Sequence, residues 1–189
     1  MKSKKELPFE IKRQAFHLVS GTFLGLLVLV VDKQTALALL AVAIIVGVYI
    51  SQLFVKKKRI PLVGWFVDRF EREGALPGNG LLTAVMGGFI ALAFFDSFIV
   101  FISLLLLAYV DSFSTVIGKS IGKTRILGKK TLEGAIGGFV AGFFIAAMFL
   151  PMEIAALAAI VATIVEVLPL DDNISIPPLV GAALTYIKL

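Results

Sequence analysis

The densest chemistry in the chain lies between Asp111 and Gly138. Asp111 falls near the end of an apolar run. Ser114, Thr115 and Gly118 follow at i+3, i+4 and i+7, on the same helix face. A carboxylate in such a run is costly unless paired or hydrated, which makes it a candidate for function. The segment 117–131 then reads as a basic, glycine-rich loop, with Gly118, Gly122 and Gly128 set among Lys119, Lys123, Arg125, Lys129 and Lys130. Thr131 is placed to cap the next helix, and Glu133 falls in its first turn. Glycines let backbone approach an anion, lysines bring charge, and a helix start offers free N–H groups. Together they suit a polyphosphate, and Asp111 suits its accompanying magnesium. The Walker pattern G-x-x-x-x-G-K-[ST] is absent. An ordinary basic loop that binds anionic lipid has a similar composition.

Glu166, Asp171, Asp172 and Asn173 put four oxygen-bearing side chains into eight residues. Such a set suits a hard cation that keeps several waters. A solvated turn with Asp or Asn capping a helix from Ile174 explains Asn173 equally well, but not Glu166. Arg13 and His17 are i, i+4 neighbours, and His17 is a candidate proton acceptor or phosphate ligand. By itself the pair also reads as an interfacial cap. Arg72-Glu73 with Gly78-Asn79-Gly80 reads as a turn.

These groups need elements that hold them, and composition says which. Of the 189 residues 59% are hydrophobic and 16% charged, and mean hydropathy is +0.99. A soluble domain carries about 25% charged residues. The charge-free runs 14–31, 34–55, 74–95 and 134–152 approach or exceed the roughly 20 residues that cross a bilayer. The expectation is one domain over 1–189, all-α, a polytopic transmembrane bundle of about seven spans. They fall near 14–31, 34–54, 79–95, 97–116, 132–150, 153–168 and 174–187. The last holds Pro177-Pro178 and is expected to be broken or tilted. An amphipathic helix over 60–73 places Val63, Phe66, Val67 and Phe70 opposite Asp68, Arg69, Glu71 and Arg72, with Trp65 as an interfacial anchor. There are no cysteines, so thiolate metal sites are excluded.

Seven alternating spans put all but Lys33 and Lys188 of the 18 Lys and Arg on one side. The positive-inside rule makes that side cytoplasmic. All but Asp32, Asp96 and Glu153 of the 13 acids lie there too. Acids do not set topology, so polar chemistry is expected on the cytoplasmic face of a multi-pass protein.

The clusters occur in an order that resembles the CTP-dependent polyprenol kinase family, which includes dolichol kinases, phytol kinases and a CTP-dependent diacylglycerol kinase. The matching pieces are RQAFHLVSG at 13–21, RE at 72–73 with Gly78 and Gly80, DSFSTVIGKSIGK at 111–123, KKTLEG at 129–134 and EVLPLDDNISIP at 166–177. Gln14 departs from the pattern, where the family often has Lys. The resemblance implies transfer of the CTP γ-phosphoryl group to a lipid alcohol such as dolichol, geranylgeraniol or phytol, with Mg2+ as cofactor. Lys119, Lys123, Lys129 and Lys130 would meet the phosphates, and Gly128 and Thr131 would present backbone N–H groups. Arg13, Glu133 and Asn173 complete the expected nucleotide-binding set. Asp111, Glu166 and Asp172 would hold magnesium, and one of them or His17 would accept the alcohol proton. Expected partners are CTP, the lipid alcohol and membrane lipids, with no nucleic acid; a homodimer is left open. Two rivals stand beside this reading. A CTP:phosphatidate or CDP-archaeol cytidylyltransferase shares a KKTxEG-like stretch, but its downstream signature needs a histidine, and no His follows His17. A small transporter would line a pathway with the glycine-rich spans, but no inverted repeat is visible.

Overall fold

A computed structural model of the chain describes residues 6–56, 61–70 and 78–187. Within them lie helices α1 (Glu6–Val30), α2 (Lys33–Val55), α3 (Pro61–Phe70), α4 (Asn79–Phe94) and α5 (Ser97–Ile121). A small antiparallel hairpin, β1 (Arg125–Leu127) and β2 (Lys130–Thr131), precedes α6 (Leu132–Ala147), α7 (Met152–Val167) and α8 (Asp172–Tyr186). Leu7–Val30, Lys33–Val55 and Ser97–Ile121 are long and apolar enough to cross a membrane, and Asn79–Phe94 and Leu132–Ala147 are shorter apolar helices. These helices mark a helical membrane protein.

The chain folds around α5. Residues Ile99 to Ala108 are all buried on every side, which is why this stretch shows no amphipathic stripe. Helices α1, α6, α7, α8 and α4 pack around it. Helix α2 lies outside, against α4, and exposes Val42, Ile45 and Tyr49. Turns are short, and caps fix them. Asp32 accepts a hydrogen bond from Thr35 N at 3.0 Å at the start of α2, and Asp171 accepts one from Ile174 N at 3.3 Å at the start of α8. Lys33 Nζ donates to Phe95 O at 2.9 Å, fastening the α1–α2 turn to the α4–α5 turn.

The fold departs from the sequence-based expectations at several places. Helix α1 begins at Glu6, so Glu10 and Arg13 lie on a helix. Helix α5 continues to Ile121, so Lys119 stands on its last turn and the loop begins only at Gly122. Gly118 reads as a loop residue but serves close packing: a Cβ there would lie 2.9 Å from Thr131 Oγ1. Helix α8 is continuous across Pro177 and Pro178, which sit in its second turn. The cap of α8 is Asp171, not Asn173. Helix α3 covers 61–70 of the expected 60–73; Phe70 stacks on Phe16 with ring centroids 4.8 Å apart, so it docks on α1. The side chains of Val63, Phe66, Val67 and Asp68, and residues 71–73 with Arg72-Glu73, lie outside the described residues.

The hairpin is a compact device. Gly128 has φ +57°, the left-handed turn conformation that glycine adopts without a Cβ penalty. Leu132 N donates to Thr124 O at 2.8 Å and closes the loop. Glu133 accepts from Lys123 N and Thr124 N at 3.1 Å each. Thr131 caps α6 by accepting from Gly134 N at 3.2 Å. Helices α5 and α6 cross closely behind it. A Cβ on Gly134 would come within 2.7 Å of Ser114 O, so only glycine admits this approach.

A similar approach seats α8. Pro177 has no N–H, so the Asn173 carbonyl loses its helical donor. A Cβ on Gly87 of α4 would collide with that same oxygen and lie 3.1 Å from Ile174 Cα. Gly87→Val is therefore expected to push α4 off the start of α8 at a cost of about 1–3 kcal/mol. It should lower the melting temperature in detergent micelles, whereas Gly80→Ala, with open space around it, should not. For the hairpin, Glu133→Gln should speed amide hydrogen exchange at Lys123 and Thr124, because a neutral amide is a weaker acceptor than a carboxylate. Unchanged exchange there would dismiss Glu133 as the loop's organiser.

Candidate metal and phosphate site

Asp111 lies ten residues before the end of α5, about 15 Å along the axis. Glu166 is in the last turn of α7, and Asp172 opens α8. One carboxylate oxygen from each of the three lies within 4.8 Å of the others. Asp111 and Glu166 are buried, and Asp172 is partly so. The turn 168–171 joins α7 to α8 and brings Glu166 and Asp172 to one level. The α5–α6 and α4–α8 crossings hold that level against Asp111.

The three carboxylates have different sets of partners. Glu166 Oε1 accepts from Ser114 Oγ and from Lys130 Nζ, both at 2.5 Å. Lys130 Nζ also lies 3.6 Å from Asp172 Oδ2. Asp172 Oδ1 accepts from Asn173 N at 3.0 Å. Asp111 Oδ1 accepts from Thr115 Oγ1 at 3.2 Å. Asp111 Oδ2 faces Gln14 Nε2 and His17 Nε2, each at 3.5 Å. Burial alone would lower the Lys130 pKa, but the Glu166 carboxylate, with Asp172 and Asp111 beyond it, holds it above the usual lysine range. Lys130 is thus an ammonium at neutral pH.

One ammonium against three converging carboxylates leaves the cluster short of positive charge. Like charges this close repel, and a cation among them relieves that repulsion. Hard oxygen donors at this spacing fit a divalent ion that keeps several waters. Two polar atoms around the cluster are buried and without a hydrogen-bond partner among the described residues, His17 Nε2 and Asn173 Oδ1.

The structure separates the other expected site residues. Arg13 and Lys119 do not reach the cluster but meet on Glu10: Lys119 Nζ lies 2.6 Å from Oε1, and Arg13 Nε 3.0 Å from Oε2. Lys123 and Lys129 are exposed on the hairpin, on either side of the Gly128 turn. Lys130, the first residue of β2, reaches inward to Glu166, whereas Lys129, in the turn before it, is exposed. Thr131 and Glu133 are used by the loop itself.

Three residues at the site have no role in the sequence-based reading: Glu10, Gln14 and Ser112. Glu10 is 3% exposed and Gln14 1%. With His17 they follow at i, i+4 and i+7, one face of α1, and that face continues as Gly21 against Ala108 and Gly25 against Phe101. The signal is present as a polar stripe that turns to glycine along one helix face.

No protein-family model matches the chain, and no solved structure does. Among curated proteins it is 30% identical over 182 residues to an uncharacterized protein of Methanocaldococcus jannaschii, covering 94% of this chain and 93% of that one. Over 131 residues it is 30% identical to the CTP-dependent diacylglycerol kinase 1 of Schizosaccharomyces pombe, covering 58% of this chain and 60% of the kinase. The chain belongs to one family with the Methanocaldococcus jannaschii protein, and is a distant relative of a CTP-dependent lipid kinase.

Proposed function

We propose that the protein is a membrane lipid kinase that transfers the γ-phosphoryl group of CTP to a polyprenol-type lipid alcohol, giving a lipid monophosphate and CDP. The convergence of Asp111, Glu166 and Asp172 with Lys130 carries this reading. Phosphoryl transfer asks for positioned charge more than for covalent chemistry. The distant kinase relative supports the donor, and its name makes diacylglycerol a second acceptor to test.

The proposed topology has seven crossing helices, with α3 at the interface and the charged end cytoplasmic. Helices α4, α6 and α7 have 16 residues each. That is about 24 Å against a hydrocarbon core of about 30 Å. Tilt or local thinning of the bilayer accommodates the difference at modest cost. A shortened span brings the site and the lipid surface to one level.

Mg2+, when bound by Asp111, Glu166 and Asp172, supplies neutralisation of the triphosphate charge. Lys130 pairs with Glu166 and presents its ammonium to the same space. Lys123 and Lys129 stand exposed on the hairpin, where an incoming triphosphate first meets positive charge. Arg13 and Lys119, held by Glu10, form a second cationic pair on the same end of the bundle. The alcohol oxygen bonds to the γ-phosphorus, the bond to the β-phosphate oxygen breaks, and CDP departs. The alcohol proton goes to His17 Nε2 in this proposal. The oxygens of Asp111 already have donors, whereas that nitrogen is buried without one.

Purified protein with magnesium, CTP and a panel of polyprenols and diacylglycerol should release CDP and a lipid monophosphate. Release of pyrophosphate with a lipid phosphate acceptor would instead make it a cytidylyltransferase. Asp111→Asn, Lys130→Ala and Asp172→Asn should each lower turnover at least about tenfold, the equivalent of about 1.4 kcal/mol of barrier. Replacing Lys33 or Asp96, at the opposite end of the bundle, should leave turnover within about twofold. Wild-type turnover in all three site variants would remove the cluster from the mechanism.

A further inference from the structure

The three carboxylates are not treated alike. Glu166 is met by a full positive charge from Lys130 at 2.5 Å. Asp111 has no ammonium on it: Thr115 Oγ1 stands at 3.2 Å, Gln14 Nε2 at 3.5 Å and the His17 imidazole at 3.5 Å. Gln14 is itself held. Ser112 Oγ stands 3.3 Å from both Gln14 Oε1 and Gln14 O, and its one proton is shared between them. The two ends of the amide therefore face opposite partners, a hydroxyl at Oε1 and a carboxylate at Nε2. That fixes which end is oxygen, because a carboxylate accepts and cannot donate. Ser112 is 2% exposed and Gln14 1%, so water does not compete for these contacts.

We infer that Gln14 is a positioning residue for the divalent cation: a neutral relay, Ser112 to Gln14 to Asp111, orients the Asp111 carboxylate while leaving its negative charge to the ion. This rests on the metal-dependent kinase reading and deepens it. An amide supplies direction without charge. The geometry of α1 supports the role. The Gly21 and Gly25 contacts with α5 fix how far α1 sits along its neighbour, and so set Gln14 level with Asp111 and Ser112. Groups that orient a metal ligand commonly carry a large share of metal affinity although they never touch the ion.

The test is Mn2+ binding to the full-length protein in detergent micelles, read by electron paramagnetic resonance without nucleotide. Thermal melting and the Mg2+ dependence of turnover are measured alongside. Gln14→Met keeps the shape and removes the donor; it should weaken Mn2+ binding about tenfold. Ser112→Ala should weaken it in the same direction by less. The double variant should be no weaker than Gln14→Met alone, because both changes break one relay. Mn2+ affinities equal to wild type in both single variants would overturn the inference, as would effects that simply add. A purely structural role would lower the melting temperature and leave Mn2+ affinity unchanged. Should Gln14→Met fail to fold, Ser112→Ala decides alone: unchanged affinity overturns the relay. Wild-type protein that binds no Mn2+ would overturn the metal site itself, and the relay with it.

Discussion

Three carboxylates brought within 4.8 Å of one another, two of them buried, repel strongly. Nothing in an apolar bundle favours that arrangement, so every neighbouring element must hold it in place. Lys130 offsets part of the repulsion. Hydroxyls from Ser114 and Thr115 and the Gln14 amide satisfy oxygens that burial takes from water. Under the kinase proposal, the remaining excess of negative charge is what a bound cation would meet. The same excess explains why the acids gather at one end of the bundle, which charge bias for topology alone does not require.

The scaffold that withstands this repulsion is built less from hydrophobic burial than from close approach. Between helices in lipid, the tails are as apolar as leucine, and association depends on packing and interhelical hydrogen bonds. Helix α5 supplies large side chains, with Phe101, Ile102 and Leu104–Leu107 buried. Its partners present small ones. Helix α7 faces inward with Ala155, Ala158, Ala159 and Ala162, and α6 with Gly134, Gly138 and Gly142. Large residues on the central helix and small ones around it let backbones come close, and backbone position is what sets carboxylate position. The glycine at 87 belongs to this scheme, since it admits α4 to the very carbonyl that Pro177 deprives of its donor.

The helices are legible from the sequence because charge-free runs report apolar helices directly, three of them long enough to cross a membrane. Every expected span has a helix in the structure, though boundaries at 14 and 116 fall short of the helices that begin at Glu6 and end at Ile121. Those ends carry Glu10, Arg13 and Lys119, whose charges pair with one another across helices, and pairing of that kind is not visible along a chain. Asp111, Glu166 and Asp172 stand out because an acid beside an apolar run costs desolvation energy that only a partner, water or an ion offsets. Lys130 cannot be told from Lys129 or Lys123 along the chain, since the distinction is made by a two-residue strand and the positive φ of Gly128. Gln14 reads only as a departure from a pattern. A neutral residue draws no attention in a charge count, and its meaning emerges only when the carboxylate across the interface is known.

Placement of the cluster along the helices bears on what substrates it can join. Asp111 lies about 15 Å along α5 from its charged end, yet Lys130 reaches the same point from an exposed hairpin. A site fed only from water would gain nothing from such burial, because each buried carboxylate adds desolvation cost. A site within lipid alone would have no use for the exposed lysines of the hairpin. The combination suits a reaction with one reactant from each phase: an anionic, water-borne donor drawn in along the hairpin, and a hydroxyl carried on a chain that stays among the lipids. Under the kinase proposal, the burial of Asp111 beside the ends of α7 and α8 follows from where the acceptor hydroxyl lies, and the basic hairpin is what brings the triphosphate to it.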